Sequence, residues 1–418
     1  MIPAKSSPIN VVRVVGAGFT GLACAYFALH HPQTKCIEIY DKYSSSKNNT
    51  LLRGASAASA GLLHPLTRLG KEMWKGYESY DKSLELIKII ELESGNSNII
   101  QNNVNIIRKG GFEKDEISDD VIINNGIVIN PVDYLDSLWD VIESQSKKLN
   151  KEVKWKVINE HDYTTYNQMA AFAHDTNHIN MDSTDGIENH RSVVINAMGA
   201  GMTSGLWGDE LPFTYEVGKN IVIEYPITTN TKSTTTTISN KNNNEGKFDG
   251  LNVHEALIRG EYVVPMKEKR RSNINNNNHD DDNHDDEYIQ KLILGATHER
   301  DTDDKTKKDD VWHYQRLKHQ IRSKLFSNIA HESLWPDGNG DSMLPKDAEI
   351  REGTRVQARR SHVGRLPVIG RHPVLNHVWM AGAFGSRGLL YHAMVAELTI
   401  NAALTEDCSD IPEEIKLK

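Results

Sequence analysis

The sequence predicts an α/β fold in which a doubly wound parallel sheet is interrupted by a second domain carrying an antiparallel sheet. Two stretches near opposite ends of the chain predict the first part. The apolar run Val11 to Val15 passes directly into "GAGFTG" and the helical "LACAYFALH", and "HVWMAGAFGSRGLLYHAMVAEL" reads as strand, glycine turn and a helix apolar on most faces. Between them the sequence is looser and strand-rich, the pattern of one α/β domain holding another as an insertion.

The first turn carries the most information. Gly16, Gly18 and Gly21 stand where strand meets helix, with Phe19 and Thr20 between the last two. A strand that enters a helix through glycines leaves unpaired backbone N–H groups and a positive helix end facing one point, which suits a diphosphate. The next strand, "CIEIY", ends in Asp41 beside Lys42, twenty-five residues beyond Gly16. A carboxylate there can accept hydrogen bonds from both hydroxyls of an adenosine ribose. These features identify an adenine dinucleotide and do not by themselves separate FAD from NAD.

Further along, Met73, Tyr77, Tyr80, Leu84 and Ile87 recur at helical spacing, predicting an amphipathic core helix over 71–92. In "NPVDYLDSLWDVI", Asn130 is an N-cap and Pro131 takes the first helical position, with Leu135, Leu138 and Ile142 on one face. The runs "EVKWKVI", "SVVINAMGA", "KNIVIEY" and "EYVVP" are strand-like. Residues 228–248 and 268–287 lack apolar side chains to offset ordering entropy and read as disordered insertions in surface loops. The His-Asp run inside the second reads as a solvated loop, so no metal site is expected. "KDEISDD" and "ERDTDDKTKKDD" read as charged connections.

Composition narrows the function classes. The 418 residues suffice for two domains or one large interleaved fold, and the net charge of -9 argues against a generally basic nucleic-acid binder while leaving room for a local basic patch. Cys24, Cys36 and Cys408 are the only cysteines, and two lie in elements that read as buried. That excludes a disulfide framework and points to a reducing compartment. No apolar run reaches bilayer length, only ten residues precede the first strand, and "IKLK" is no peroxisomal address. A cytoplasmic protein without a membrane partner is expected, or an organellar one if the N-terminus is truncated.

Three segments resolve the cofactor. "GASAASAGLLHPLTR" (54–68), "VVINAMGA" (193–200) and "GRLPVIGRHPVLNHVWMAGAFGSRGLLYHAMVAEL" (364–398) together resemble the D-amino-acid-oxidase-like superfamily of FAD-dependent oxidoreductases. The likeness runs in order across nearly the whole chain, insertions apart. Within that superfamily the pattern is most similar to the oxidase half of the bacterial tRNA wobble-uridine enzyme of the MnmC type, with glycine and sarcosine oxidases as cousins. No methyltransferase-like half is present.

The resemblance implies a Rossmann-like FAD-binding domain, over 8–70, 127–210 and 350–405, interleaved with an antiparallel-sheet substrate domain and connecting helices over 71–126 and 211–349. It implies that Gly16, Gly18 and Gly21 cradle the diphosphate of FAD and that Asp41 holds its ribose. Ser56 to Leu62, including Ser59, Ala60, Gly61 and Leu62, would lie along the diphosphate, ribityl chain and flavin edge, where small residues let backbone amides approach the ring. Gly199 would turn under the cofactor. Gly385, Ser386, Arg387, Gly388 and Leu389 would meet the pyrimidine side of the flavin, with the positive end of a helix starting near Gly388 facing the carbonyl that gains charge on reduction. The implied chemistry is oxidation of a C–N bond of a carboxylated primary or secondary amine by hydride transfer, with molecular oxygen the expected reoxidant, giving hydrogen peroxide. Two substrates stay open: a free amino acid of the glycine or sarcosine type, and a carboxymethylaminomethyl uridine in tRNA. A non-catalytic FAD-binding or interaction protein that keeps the fold is the alternative class.

Residues 351–371 hold six arginines and one acid, Glu352. A guanidinium can clamp a substrate carboxylate bidentately, and Arg359 and Arg387 are the candidates, with Tyr262 as a third member. His64, His298 and His392 can each serve as polar lining, although such histidines are more often hydrogen-bonded structural residues. Departures from the family pattern concentrate on the substrate side. "ARRSHVGRLP" is longer than the usual Arg-Asp turn and lacks its Asp, and Val217, Gly218 and Lys219 stand where many relatives have an Arg-Gly pair. No cysteine lies near "ARRSHVG", so FAD is expected to be noncovalent.

Overall fold

A computed structural model of the chain describes residues 9–44, 54–67, 70–108, 112–113, 116–117, 121–158, 191–199, 213–225, 247–248, 251–252, 255–259, 261–269, 288–296, 299–300, 310–325, 348–358, 365–373, 375 and 377–417. The expected dinucleotide domain is built on a six-stranded sheet. Its strands are β1 (Ile9–Val15), β2 (Cys36–Asp41), β8 (Glu152–Val157), β9 (Arg191–Asn196), β18 (Val368–Arg371) and β19 (Val378–Gly382), in the order β18-β19-β9-β1-β2-β8. All pairs are parallel except β18–β19, and β1 sits centrally, with Val14 opposite Ile39 on one side and Ile195 on the other. Such strands are covered on both faces, which is why β1 and β2 read as apolar runs. The chain ends by running along β18, where the Leu417 amide donates to Ile369 and the Ile369 amide to Ile415.

Helices α1 (Phe19–His30), α3 (Gly76–Ser94), α4 (Pro131–Lys148) and α6 (Gly388–Thr405) cover one face and share one core with the sheet. Because α6 is enclosed by this layer, residues Leu389 to Ala396 are all buried, and it needs no polar face. The expected cap of α4 is present: the Asn130 side chain accepts from the amides of Val132 and Asp133, at 3.2 and 3.3 Å. Helix α3 starts later than its periodicity predicts. Lys75 adopts a left-handed conformation (φ 45°), Met73 is held ahead of the helix by its amide bond to the Pro65 carbonyl, and Tyr77 is 52% exposed. The face that packs on α6 is instead small, with the Ser83 hydroxyl donating to the Leu390 carbonyl at 2.8 Å.

The second sheet has nine strands. It contains β3 (Leu62–Leu63), β4 (Ile100–Arg108), β7 (Val121–Ile129), β10 (Phe213–Tyr225), β13 (Glu255–Arg259), β14 (Glu261–Lys269), β15 (Tyr288–Gly295), β16 (Glu299–Arg300) and β17 (Glu349–Ala358). Its path is β16-β10-β15-β14-β13-β4-β7-β3, with β17 also on β10; every pair is antiparallel except β13–β4. Alternation divides its faces. Ile221, Ile223, Val263 and Leu294 pack under helix α5 (Asp310–Leu325), whereas Val222, Val264 and Ile293 join Ala60, Val104 and Val128 on the other face. The short helix α2 (Gly54–Ala57) and two ribbons, β5 (Phe112–Glu113) with β6 (Glu116–Ile117) and β11 (Lys247–Phe248) with β12 (Leu251–Asn252), are also described.

The elements partition differently from the expected boundaries at three places. Strands β3 and β17 and the end of β7 (127–129), expected in the dinucleotide domain, pair in the nine-stranded sheet, while α3, from the segment expected to hold the substrate domain and connecting helices, lies in the helical layer on the other sheet. Of the two expected insertions, 247–248 and 268–269 fall in β11 and β14; the rest of both, with the His-Asp run, lies outside the described residues. Among the described residues no helix is long and apolar enough to cross a membrane, and no cluster of His, Cys, Asp or Glu suits a metal. All three cysteines are free thiols, and burial pushes that of Cys24 far above its ordinary value.

Candidate functional site

The two sheets meet over a cleft of about 440 Å³. One wall is formed where the chain leaves the carboxyl ends of β1, β9 and β19; the other is formed by β10, β14 and β17, with the segment 54–61 between them. A crevice at the carboxyl ends of parallel strands, on either side of a central strand, is where such sheets bind ligands.

The glycine turn is held by backbone contacts. Gly16, at φ 97°, donates its amide to Tyr40 at 2.8 Å, and a Cβ on it would lie 2.7 Å from the Ala197 carbonyl oxygen. A Cβ on Gly21 would stand 1.7 Å from the Gly16 carbonyl oxygen, so the first turn of α1 crosses the end of β1 at a distance only glycine permits. Helix α1 has no side-chain cap, and Gly18 and Thr20 in its first turn line the cleft. The Phe19 amide donates to Ser56 Oγ at 3.1 Å, which ties the turn to the segment opposite. Asp41 sits beside it, with one carboxylate oxygen accepting the Ala17 amide at 2.6 Å and the other the Tyr43 amide at 2.9 Å. Lys42 is exposed, away from the cleft, with its ammonium 5.1 Å from the Tyr43 ring centre.

Segment 54–61 is clamped on three sides. Gly61 (φ 71°) lies so close to β7 that a Cβ would be 1.8 Å from the Ile129 carbonyl oxygen, and Gly61 accepts the Ile129 amide at 2.8 Å. Gly353 of β17 passes against Ala55, where a Cβ would be 2.5 Å from its Cα. Asn220 of β10 donates its side-chain amide to the Ala58 carbonyl. Ser59, Ala60, Gly61 and Leu62 all line the cleft, and Ser59 Oγ is buried without a hydrogen-bond partner among the described residues. An unpaired buried hydroxyl is costly unless a bound group completes it. That orphan, the cleft-lining first turn of α1 and the small residues facing both fit the diphosphate and ring edge of FAD.

The turn after β19 forms the remaining wall. Ala383 is held at φ 64°, a conformation that costs a side-chain-bearing residue about 1–2 kcal/mol. A single helical turn over Gly385–Arg387 then leads into α6. Gly385, Ser386, Gly388 and Leu389 face the cleft, as does Gly199 beyond β9, and the uncapped positive end of α6 lies at Gly388. Arg387, between the cleft-lining Ser386 and Gly388, is not itself among the lining residues, and one guanidinium nitrogen donates to the Arg365 carbonyl at 3.5 Å. Burial raises the Tyr391 phenol, a rise that the Arg387 charge and hydrogen bond oppose, so the two side chains are neighbours.

On the substrate side, Tyr262 lines the cleft and donates its hydroxyl to Asn220 Oδ1 at 2.8 Å. Burial pushes its phenol up to about 12 against the lowering charge of Arg355. Arg355 and Asn220 also line this wall, and neither was singled out by sequence. The Arg355 guanidinium is fixed by Glu216 across β10–β17 at 3.1 Å, with both side chains mostly buried. His64 is at the cleft; Arg359 and His298 lie outside the described residues.

His392 takes the hydrogen-bonded structural role that such histidines more often have. It is fully buried in the helical layer, where Nδ1 lies 2.8 Å from the Leu389 carbonyl and Nε2 lies 2.8 Å from the Tyr134 hydroxyl. A carbonyl only accepts, so the proton is on Nδ1 and Tyr134 donates to Nε2. Burial pushes this imidazole down to about 4, against the raising effect of the Leu389 bond. An unfolded histidine titrates near 6.5, so between these values the unfolded chain binds the extra proton. The neutral ring's contribution is therefore complete above pH 6.5 and lost as pH falls toward 4, about 3 kcal/mol in all. His392→Asn should show a smaller loss of urea midpoint from pH 7 to pH 4.5 than the parent; an equal loss would remove His392 as the source.

Residues 124–402 match the family model described as DAO, FAD dependent oxidoreductase. The chain belongs to this family, and its cofactor is FAD. Among solved structures it is similar to glycine oxidase from Geobacillus kaustophilus, at 15% identity and TM-score 0.59 over 99% of both chains. It is also similar to iminodiacetate oxidase from Chelativorans sp. BNC1, at 14% identity and TM-score 0.54, covering 97% of this chain and 98% of that one. A third is fructosyl amine oxidoreductase (Amadoriase I) from Aspergillus fumigatus, at 11% identity and TM-score 0.52, covering 99% and 90%. These likenesses establish the shared fold. No curated protein matches by sequence.

Proposed function

We propose that the protein oxidises a C–N bond of a small carboxylated primary or secondary amine, of the glycine or sarcosine type. The observation that carries this reading is the juxtaposition of Arg355 and Tyr262 on one wall of the cleft, opposite the glycine turns and the orphaned Ser59 hydroxyl. When bound, FAD supplies the two-electron acceptor for this oxidation, with molecular oxygen as its reoxidant giving hydrogen peroxide. Gly16, Gly18, Phe19, Thr20 and Gly21 hold the diphosphate, Asp41 the ribose, and Ser59 to Leu62, Gly199 and the 385–389 turn the flavin, with no covalent attachment. Arg355 takes the role first sought in Arg359 and Arg387, binding the substrate carboxylate through a guanidinium whose plane Glu216 sets. The similar structures are named for the oxidation of glycine, iminodiacetate and a fructosyl amine, which is consistent with such a substrate.

A carboxymethylaminomethyl uridine in tRNA presents the same bond, as the resemblance to the MnmC-type oxidase half suggests. The described arginines of the run weigh against it: Arg351 is paired with Glu349, Arg355 with Glu216, Arg365 with Gln357, and Arg371 lies over Trp379. These side chains are engaged within the fold rather than arrayed as a basic face for phosphates. Peroxide release with a panel of N-alkyl glycines, beside mass spectrometry of tRNA nucleosides after incubation, tests both. Peroxide with free amines and unchanged tRNA is expected; an FAD-loaded protein inert toward all of them would mark a non-catalytic FAD-binding protein.

Asp41→Ala should weaken FAD binding about ten-fold to a hundred-fold, following the roughly 1.5–3 kcal/mol of a hydrogen bond to a charged group. Asp41→Asn, which keeps one acceptor oxygen, should fall between. Fluorescence titration of the apoprotein measures both, and parental affinity in Asp41→Ala would show that the ribose lies elsewhere.

A further inference from the structure

We propose that Asn220 is a positioning residue that fixes the direction of the Tyr262 hydroxyl, making this wall of the cleft a hydrogen-bond acceptor that takes an amine N–H in preference to an ether oxygen. The inference rests on the amine-site reading of the cleft. Asn220 is 4% exposed on β10, with its amide between two partners of different character. At one end its NH₂ donates to the Ala58 carbonyl. A backbone carbonyl can only accept, so the nitrogen must face Ala58 and the oxygen must face the other way. The Tyr262 hydroxyl oxygen lies 2.8 Å from that oxygen, which can only accept, so the phenol proton lies on the line between them. A buried phenol raised to about 12 keeps its proton throughout the neutral range. With its one proton committed to Asn220, Tyr262 offers the cleft lone pairs alone.

The packing around the pair leaves it no alternative arrangement of similar quality. A Cβ on Gly295 of β15 would stand 2.1 Å from Asn220 Oδ1 and 2.8 Å from Tyr262 Cε2, so the neighbouring strand closes over the contact. Turning the amide over would set two acceptors against each other at Ala58 and leave a buried polar pair unsatisfied. The same bond to Ala58 seats segment 54–61, so one side chain sets both the polarity of Tyr262 and the position of the small-residue wall opposite.

The test compares two probes on the FAD-loaded protein, N-methylglycine and methoxyacetate, in which an ether oxygen replaces the N–H. The dissociation constants come from perturbation of the flavin absorption spectrum, or from anaerobic stopped-flow reduction where a probe reacts, and their ratio is the readout. Tyr262→Phe should cut the preference for the amine about ten-fold. Asn220→Leu should cut it similarly, because the freed phenol proton can then turn to the ether. Asn220→Asp, which still accepts from Tyr262 but cannot donate to Ala58, should keep the ratio while FAD affinity of the apoprotein falls several-fold. A purely structural role for Asn220 would weaken both probes equally in Asn220→Leu and leave the ratio unchanged, which overturns the positioning role alone. Neither probe binding to the parent would overturn the amine-site reading and this inference with it.

Discussion

Gly21→Ala is expected to strip the protein of FAD and to destabilise it by about 3 kcal/mol or more, at the upper end of what overpacking costs. The added Cβ would sit 1.7 Å from the Gly16 carbonyl oxygen and 2.9 Å from its carbon. Both are backbone atoms in the turn that ends the central strand, so no rotamer change relieves the clash. Helix α1 would have to move off β1, withdrawing the Gly18 to Thr20 turn from the cleft and opening the core it shares with α4 and α6. Two neighbouring substitutions calibrate the effect. At Gly18 a Cβ would crowd Ser56 Oγ, at 2.8 Å, with Ser56 Cβ in ordinary contact at 3.6 Å, and a serine hydroxyl can rotate away, losing its bond to the Phe19 amide, worth about 1 kcal/mol. At Gly54, with φ 67° and nothing within 4 Å, only the left-handed backbone resists, again about 1–2 kcal/mol. Melting temperature and the flavin-to-protein absorbance ratio should therefore fall most in Gly21→Ala. Parental values in that variant would mean that the helix does not cross the strand this closely.

The legible parts of this molecule are those whose cause is local. The glycine turn could be read because strand, turn and helix follow one another within a few residues, and the α4 start because Asn130 and Pro131 cap it from adjacent positions. The partition of β17 was not legible, since its register against β10 joins Phe213 to Ala358, far apart in sequence, and strand patterning does not name a partner. The same limit explains the arginines. Sequence alone offers no means of separating Arg355 from the other arginines of the run; what distinguishes Arg355 is Glu216, 139 residues away. The place of Arg387 in the turn fixes where its backbone goes and leaves its long side chain free to follow its neighbours, here the Arg365 carbonyl and Tyr391. The structural role of His392 was legible for a local reason. A histidine inside a helix apolar on nearly every side belongs to the core, and its partner Tyr134 sits in another apolar-striped helix.

Arg355→Met is expected to raise the KM for a carboxylated amine about ten-fold to a hundred-fold, with the limiting rate of flavin reduction less affected and FAD content unchanged. If Arg355 binds the substrate carboxylate as proposed, the loss is that of a hydrogen bond between charged groups, roughly 1.5–3 kcal/mol, made equally to substrate and transition state and therefore expressed in KM. A second term adds to it. Glu216, with its side chain 16% exposed, would be left beside the cleft without the guanidinium 3.1 Å away, and its charge would repel an incoming carboxylate. The two terms can be separated by removing both charges: Arg355→Met with Glu216→Gln should recover part of the affinity lost in the single variant, which a packing defect would not do. Arg355→Lys should recover less than its charge suggests, because a point ammonium cannot reproduce the planar two-pronged contact. Arg387→Ala provides the contrast, since its guanidinium lies outside the cleft wall and its loss should change KM by less than about three-fold, within the scatter of a surface substitution. Steady-state kinetics with N-methylglycine and glycine on the four variants would measure the pattern. A large KM effect in Arg387→Ala with none in Arg355→Met would reverse the assignment and return the carboxylate site to the α6 turn.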